Sequence, residues 1–386
     1  MATETVIVDA MRTPIGTYGG ALKTTPPSDL GAAAAGAVLA RAGVSPDRID
    51  QVVFGNVLHA EEGAAYLARA VGRKAALPDR VPALTVNRLC GSGLEAVVQA
   101  SRLIAAGEAE IVLAGGAESM SRTPYWTFGA RFGTRMGDTV LLDALTTALV
   151  DPFAHVHMGE TAEVLAQEYA IDRQAQDAFA VESHRRAARA REAGWFAADI
   201  VPVAGLAEDE HIRPDASLEG LARLRPAFRA GGTVTAGNAS GLNDAAGAVV
   251  VASAERARRD GLRARAVLRG HGLAGVDPLH MGIAPVGAVR QALDRAGLSL
   301  PDIDLIELNE AFAAQSLAVI RDLDLDPART NVHGGAIALG HPVGATGAIL
   351  VAKILTEMER RQVRYGLVTL CIGGGQGIAA VLERAA

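Results

Sequence analysis

The chain is poor in several residue types, and each shortage excludes a class of protein. Its 386 residues include only two cysteines, so it is not a disulfide-stabilised scaffold, and no Cys/His cluster has the spacing of a zinc site. Aromatic residues make up only 4% of the chain, which favours glycine-rich loops over large aromatic clusters. No apolar run is long enough to span a membrane, and the N-terminus lacks the features of a signal peptide.

The charge balance excludes a further class. The formal net charge is −6, so we expect no nucleic-acid partner, and an anionic substrate would need a local basic patch. We expect no metal and no membrane partner. The two cysteines without a disulfide framework predict a reducing, cytoplasmic setting.

Glycine, by contrast, is abundant, with 43 residues, and apolar residues make up 49% of the chain. Apolar β-like runs alternate with alanine-rich helical stretches, which predicts an α/β fold of two or three packed lobes. We predict strands at residues 5–9, 51–56, 82–89, 110–115, 248–253, 303–308 and 366–371. We predict helices at residues 29–42, 93–106, 286–296 and 345–360.

The two ends of the chain resemble each other. Segment 41–50 reads Arg-Ala-Gly-Val-Ser-Pro-Asp-Arg-Ile-Asp and segment 295–304 reads Arg-Ala-Gly-Leu-Ser-Leu-Pro-Asp-Ile-Asp; a β-like run follows each. Further on, segments 90–93 and 340–347 are both glycine-rich and both open a predicted helix. A duplicated α/β unit explains this pattern. The alternative is that α/β turns reuse the same residues by chance.

The middle of the chain has a different character, which we interpret as an inserted lobe. The predicted division is a first half at 1–119 continued by 242–264, an inserted loop domain at 120–241, and a second half at 265–386. The insert holds both tryptophans and a long polar helical pattern at 161–193. Irregular lobes of this kind often cover an active site.

Cys90 lies at a predicted strand-to-helix turn. The dipole of a helix that starts there favours the thiolate by about 0.3–1 kcal/mol. Gly91 and Gly93 let a substrate carbonyl approach the backbone and leave N–H groups free to bind an oxyanion. The alternative is a small buried hydrophobic residue, the common fate of a lone cysteine.

Three more residues occupy similar turns. His341 lies in a glycine-rich run stiffened by Pro342, where it could accept a proton from a thiol; an ordinary core or surface histidine is the alternative. Cys371 ends a predicted strand and, in a duplicated fold, could face the other half across a pseudo-twofold interface. Asn309 also ends a strand, where its amide could orient a water or cap a helix.

These segments together resemble the thiolase family, in family order and through nearly the whole chain. The motifs include Cys90-Gly-Ser-Gly93, Asn309-Glu-Ala-Phe312, Gly340-His-Pro342 and Cys371-Ile-Gly-Gly-Gly375, and segments 9–16, 115–121, 157–163 and 237–244 also match. The resemblance implies a thiolase-like five-layered α/β/α/β/α fold of two duplicated halves plus an inserted loop domain. It implies reversible ping-pong acyl transfer that condenses two acetyl-CoA or cleaves a 3-ketoacyl-CoA.

The resemblance also implies a role for each residue of the site. Cys90 matches the nucleophile that carries the acyl group, and His341 matches the base that activates it. Asn309 matches the residue that fixes a water in the oxyanion hole that His341 shares. Cys371 matches the second acid/base, which acts at the substrate α-carbon. The backbone N–H groups of Cys90 and Gly373 match a second oxyanion hole.

Coenzyme A is implied as co-substrate, and no prosthetic group is expected. The residues that match the coenzyme A and acyl site are His157, Met158, Arg213, Ser240, Met281 and Phe312. The nucleotide end is expected at a basic segment that contains Arg213, Arg223, Arg225 and Arg229. The sequence departs from many relatives at Ala284 and from some at Gly220, where those relatives have glycine and serine.

Segment 122–138 resembles the tetramerisation loop of the family, so we expect a homo-oligomer, either a dimer or a tetramer. Three alternatives remain open. A ketoacyl-synthase-like condensing enzyme typically uses one cysteine with two histidines, and Cys371 argues against it. A non-catalytic acyl-CoA-binding relative would be expected to lack Cys90 or His341. The glycine loops also suggest a nucleotide-dependent oxidoreductase, although they do not match its usual fingerprint.

Overall fold

The computed structural model describes residues 3–385, which form a mixed α/β fold. Its strands are β1 (Thr5–Arg12), β2 (Gly16–Thr17), β3 (Gln51–Gly55), β4 (Ala83–Val86), β5 (Ile111–Ser119), β6 (Tyr125–Trp126), β7 (Leu142–Asp143), β8 (Asn243–Ser253), β9 (Ala266–Gly275), β10 (Leu305–Leu308), β11 (Tyr365–Ile372) and β12 (Gln376–Arg384). Its α-helices are α1 (Pro27–Ala42), α2 (Leu67–Lys74), α3 (Ser92–Ala105), α4 (Ala144–Ala148), α5 (Met158–Glu168), α6 (Arg173–Glu192), α7 (Leu218–Ala222), α8 (Ala254–Arg259), α9 (Ala284–Ala296), α10 (Ala313–Leu323), α11 (Ala336–Leu339) and α12 (Thr346–Arg361). None of the helices in this part of the chain is long and apolar enough to cross a membrane.

The two halves of the chain repeat one strand order. The first half runs β4-β3-β5-β8-β1 across the sheet, and the second runs β10-β11-β12-β9. A parallel bridge between Ile306 and Thr330 stands beside β10, where a fifth strand would complete the repeat. The halves join edge to edge where Val6 pairs with Val267, so all these strands belong to one sheet. The shared order supports the predicted duplication.

The alternation of side chains along the strands sorts the core into layers. On β1, Ile7 belongs to the central apolar cluster, whereas Val6 and Val8 face the outer side. The central cluster combines α3 and α12 with strands of both halves. Helices α1 and α2 cover the outer face of the first half, and α9 and α10 cover that of the second. The predicted five layers, α/β/α/β/α, are therefore confirmed.

The two central helices cross where each begins. Gly93 is the second residue of α3, and Gly347 is the second residue of α12. A Cβ on Gly93 would lie 2.8 Å from the backbone nitrogen of Ala348, and a Cβ on Gly347 would collide with the backbone of Leu94. Neither position has room for a side chain. The crossing therefore brings the loops that precede both helices to one place.

The insert between β5 and β8 contains the β6–β7 hairpin and helices α4 to α7. The prediction of one helical stretch at 161–193 is wrong, because α5 ends at Glu168 and α6 begins at Arg173. Ala170 adopts a left-handed φ of 48°, which breaks the helix. Asp172 then caps α6, since its side chain accepts a hydrogen bond from the backbone N–H of Ala175.

Candidate active site

Cys90 occupies a tight turn between β4 and α3. Leu89, which precedes it, has a φ of 46°, a strained conformation for a leucine. A Cβ on Gly91 would collide with the side chain of Ile372 from the other half. The sulfur of Cys90 accepts hydrogen bonds from its own backbone N–H and from that of Gly373. These two N–H groups, which the resemblance implies as an oxyanion hole, both lie at the sulfur of Cys90.

The surroundings of Cys90 favour a thiol over a thiolate. Burial raises its pKa to about 11, although the two N–H donors lower it, and the Glu118 carboxylate raises it further. Desolvation therefore outweighs the effect that we predicted from the helix N-terminus. A nucleophile in this state needs a base to remove its proton.

His341 lies in the loop between α11 and α12 and is buried. Its backbone N–H donates to Oδ1 of Asn243 at 2.9 Å. Its ring nitrogens lie 2.7 Å from Thr346 Oγ1 (from Nδ1) and 3.4 Å from Asn309 Nδ2 (from Nε2). Burial lowers the pKa of the ring to about 4, so the imidazole is neutral near pH 7 and able to accept a proton.

Asn309 and Cys371 complete the cluster. Oδ1 of Asn309 is buried without a hydrogen-bond partner in residues 3–385, which suits an ordered water or a substrate oxygen. Cys371 is buried at the end of β11, and both burial and the neighbouring Cys90 raise its pKa above the ordinary range. Both cysteines are free thiols. In residues 3–385 no group of three or more His, Cys, Asp or Glu side chains is placed to hold a metal.

An apolar wall adjoins these groups. The ring of His157 stacks on Phe228 with 4.6 Å between centroids, and Phe228 meets Phe312 edge-on at 6.0 Å. Met281, Met158 and Cys371 belong to the same cluster. Phe228 escapes prediction from the sequence because a single phenylalanine in a basic loop forms no pattern.

The remaining residues expected to bind coenzyme A are Ser240 and the arginines of the basic segment. The backbone N–H of Ser240 donates to the carbonyl of Ala311 at 3.0 Å, beside the apolar wall. The arginines of the basic segment are all exposed but differ in their partners. Arg223 pairs with Glu219, and Arg229 pairs with Glu160 at 2.7 Å.

Arg213 and Arg225 have no ion-pair partner among residues 3–385, and the backbone N–H of Arg213 donates to His184. Of the two departures, Ala284 is buried with its backbone against Gly377, so it lies close to the strand that pairs with Cys371. Gly220 is exposed in α7 and touches no residue of the cluster.

Glu118 is a buried residue near Cys90 that the sequence-based candidates omit. Its carboxylate accepts four hydrogen bonds, from the side chain of Asn56 and from the backbone N–H groups of Val57, Leu58 and Gly344, at 2.9–3.1 Å. Burial raises its pKa to about 8, and three of these donors act in the opposite direction. The carboxylate thus joins the ends of β3 and β5 to the loop that carries His341.

Comparison with known protein families gives two matches that together span nearly the whole chain. The family described as "Thiolase, N-terminal domain" matches residues 5–255, and the family described as "Thiolase, C-terminal domain" matches residues 262–384. The chain belongs to the thiolase family. It is an acyltransferase of this family, and the ketoacyl-synthase-like alternative is not favoured.

Individual relatives of this thiolase match over their full length. Beta-ketothiolase BktB of Cupriavidus necator is 53% identical, with 100% of both chains covered. Human mitochondrial 3-ketoacyl-CoA thiolase, solved in complex with CoA, superposes with a TM-score of 0.98 at 47% identity and full coverage of both chains. An acetyl-CoA acetyltransferase of Bacillus anthracis superposes with a TM-score of 0.97 at 43% identity, covering 100% of this chain and 99% of that one.

Proposed function

We propose that Cys90, His341, Asn309 and Cys371 carry out the thiolase reaction in this chain, with coenzyme A as co-substrate. The observation that carries the proposal is the grouping of these residues: Gly373 and Cys371 lie beside Cys90, His341 lies beside Asn309, and Cys90 packs in one apolar cluster with Val343 of the loop that carries His341. A half-buried thiol and a neutral imidazole at one crossing of helices provide a nucleophile and its base.

In the first half-reaction, His341 takes the proton of Cys90, and the thiolate attacks the carbonyl carbon of an acyl-CoA. The C–S bond to coenzyme A breaks, and the departing thiolate recovers the proton from His341. The product is a thioester on Cys90. Its carbonyl oxygen accepts hydrogen bonds from the backbone N–H groups of Cys90 and Gly373.

In the second half-reaction, Cys371 passes its thiol proton to Nε2 of His341 and, as a thiolate, removes a proton from the α-carbon of a bound acetyl-CoA. The protonated His341 and a water held by Asn309 stabilise the enolate oxygen. The enolate carbon attacks the thioester, the C–S bond to Cys90 breaks, and the Cys90 thiolate recovers the proton from His341 as a 3-ketoacyl-CoA leaves. Thiolysis follows the same steps in reverse, with Cys371 as proton donor.

The phosphates of coenzyme A are placed at Arg213 and Arg225, because their guanidinium groups have no competing carboxylate. The pantetheine and acyl parts are placed along Met158, Met281 and Phe312, with His157 and Ser240 at the edge. Met158 and Met281 favour short-chain, acetoacetyl-CoA-type substrates. The two free cysteines support a cytoplasmic location, where thiols stay reduced, and we place the reaction in fatty acid metabolism.

The exposed β6–β7 hairpin supports a homo-oligomer, with a tetramer favoured over a dimer. Phe128, Phe132 and Met136 are 77%, 92% and 93% exposed, and an apolar surface of this kind is typical of an interface. Light scattering at micromolar concentration is expected to report an oligomer. A monomer at that concentration would contradict this part of the proposal.

The central test is covalent labelling. Incubation with acetyl-CoA is expected to add one acetyl mass to the protein, on the peptide that contains Cys90. Cys90→Ala is expected to remain folded, to take up no acetyl group and to lose activity by roughly 10⁴-fold or more. An acetyl group found on Cys371 instead would overturn the assignment.

A further inference from the structure

Each central helix begins with a hydroxyl residue, Ser92 in α3 and Thr346 in α12. The hydroxyl of Ser92 accepts a hydrogen bond from the backbone N–H of Arg88 at 2.8 Å and donates to the carbonyl of Leu89 at 2.7 Å. Both of its hydrogen-bonding functions are therefore used by the turn that carries Cys90. In residues 3–385, the Ser92 hydroxyl makes no hydrogen bond to a histidine ring.

The hydroxyl oxygen of Thr346 faces a histidine ring, where that of Ser92 faces a backbone N–H. It donates to the carbonyl oxygen of Pro342 at 2.9 Å, and its Oγ1 lies 2.7 Å from Nδ1 of His341. The hydroxyl carries one proton. With that proton directed to the Pro342 carbonyl, Oγ1 acts towards the ring as an acceptor and Nδ1 supplies the proton.

The residue four positions before each hydroxyl explains why the two hydroxyl oxygens have different partners. Arg88 precedes Ser92 by four positions and supplies the N–H that fills the serine oxygen. Pro342 precedes Thr346 by the same four positions, and proline has no backbone N–H. No backbone amide competes for Oγ1 there, so its lone pair stays open to the imidazole.

We propose that Thr346 fixes His341 in the neutral tautomer with the proton on Nδ1, and that Pro342 keeps the threonine oxygen free to do so. Nε2 is then unprotonated and faces the amide nitrogen of Asn309, which is a donor. Thr346 is thus a positioning residue, which acts through His341. The inference rests on the proposed role of His341 as the base for Cys90.

The test compares Thr346→Val with Thr346→Ser. Valine keeps the shape of the side chain but removes the acceptor, so the ring loses its preference for Nδ1–H. The rate constant for acetylation of Cys90 is expected to fall by about 10²-fold, at the low end of what acid–base catalysis contributes. KM for acetyl-CoA is expected to stay close to wild type, and Thr346→Ser is expected to recover the rate to within a few-fold.

A second readout observes the ring directly. In ¹⁵N-labelled wild-type enzyme, the His341 signals, assigned by their loss in His341→Asn, are expected to show a protonated Nδ1 and an unprotonated Nε2. Thr346→Val is expected to give a mixed pattern. Pro342→Ala restores a competing N–H and is expected to move the pattern in the same direction by less. Ser92→Ala, the matched loss of a hydroxyl from the other helix, is expected to leave it unchanged.

An unchanged ring pattern in both Thr346→Val and Pro342→Ala would overturn the proposal. The reading of His341 as the base would then still stand if His341→Asn is not acetylated. Acetylation of His341→Asn at the wild-type rate would instead overturn the proposed function. Because Pro342→Ala and Thr346→Ser keep the hydroxyl, they decide the matter even if the valine variant does not fold.

Discussion

The two halves of this thiolase share a strand order and a helix crossing, but only one of the two crossing loops ends in a nucleophile. Cys90 stands two positions before the first residue of α3, and Gly344 stands two positions before the first residue of α12. A Cβ on Gly344 would lie 2.5 Å from a carboxylate oxygen of Glu118. The buried carboxyl group of Glu118, from the first half, therefore fills the position equivalent to the Cys90 side chain, whereas Cys90 itself faces Gly373 and Cys371 of the second half.

This difference divides the chemistry between the halves. In the proposed mechanism, the first half supplies the acyl carrier, Cys90, and the second supplies His341, Asn309 and Cys371, which transfer protons and stabilise oxyanions. A duplicated fold supplies two equivalent loops, and single residues decide which becomes a site. Two such differences at equivalent positions are Pro342 in place of Arg88 and Gly344 in place of Cys90.

The largest expected effect is that of a Cys371 substitution, which distinguishes acetylation of Cys90 from formation or cleavage of the C–C bond. Cys371→Ala is expected to form the acetyl-enzyme on Cys90 at a near wild-type rate. It is expected to lose exchange of the acetyl-CoA α-proton with deuterated solvent and to slow thiolysis by roughly 10²–10⁴-fold, because the general acid/base is missing. Equal losses in both half-reactions, together with a lower melting temperature, would indicate that Cys371 only fills space.

The next prediction compares two buried carboxylates, Glu118 of the first half and Glu310 of the second. Glu118 accepts only from nitrogen donors, whereas Glu310 accepts from Asn331 Nδ2, the Ile337 N–H and the Ser183 hydroxyl, which can turn to donate elsewhere. Glu118→Gln is expected to reduce the free energy of unfolding by about 1–3 kcal/mol, because its new amide faces other donors.

Glu310→Gln is the matched control and is expected to cost less, as measured by denaturant unfolding of both variants. A smaller loss of unfolding free energy for Glu118→Gln than for Glu310→Gln would contradict the conclusion that Glu118 fills the position equivalent to Cys90.

A weaker effect is expected where the insert meets coenzyme A. Arg225→Ala is expected to raise KM for acetyl-CoA by roughly three- to fivefold, the size of an exposed charge interaction, with kcat unchanged. Arg223→Ala, whose guanidinium already pairs with Glu219, is the control and is expected to change KM less. Steady-state kinetics at two salt concentrations check both, and an equal effect of the two variants would argue against the assignment.

The smallest expected change is in the pH dependence of the acetylation rate, which should show a plateau. Cys90, with a pKa of about 11, and His341, with a pKa of about 4, are both neutral between these values, so acetylation is expected to vary little from pH 6 to pH 9. Below pH 6.5 an unfolded histidine takes up a proton before the buried His341 does. Stability present above pH 6.5 is therefore lost progressively towards pH 4. A stopped-flow profile with a midpoint near pH 7 would contradict the neutral pair.

The family and much of the fold were predictable from the sequence, and the same motifs indicate the candidate residues of the cluster. The apolar strands β5 and β11 and the helices α1, α3, α9 and α12 follow the predicted segments to within a few residues, because their periodicity is strong. Strands β9 and β12 are absent from the predictions, since their glycines and charged residues weaken the alternation.

The remaining features depend on contacts distant in sequence. The left-handed Ala170 that divides α5 from α6 has no signal in an alanine-rich stretch. The thiol state of Cys90 results from desolvation by both halves, which a local argument from the helix dipole does not include. Glu118 and Thr346 acquire their roles from Gly344 and His341, to which only the fold brings them.

Gly93 packs against the backbone of Ala348 and Gly347 packs against that of Leu94, so the helix starts that follow Cys90 and His341 are in direct contact. Because each helix start packs against the backbone of the other, we expect a displacement of one to displace the other as well. Substitutions that enlarge the acyl cavity are therefore best made at Met281 or Phe228, where a smaller side chain leaves the crossing of α3 and α12 unchanged. Any residue larger than glycine at the crossing would displace both reacting groups together.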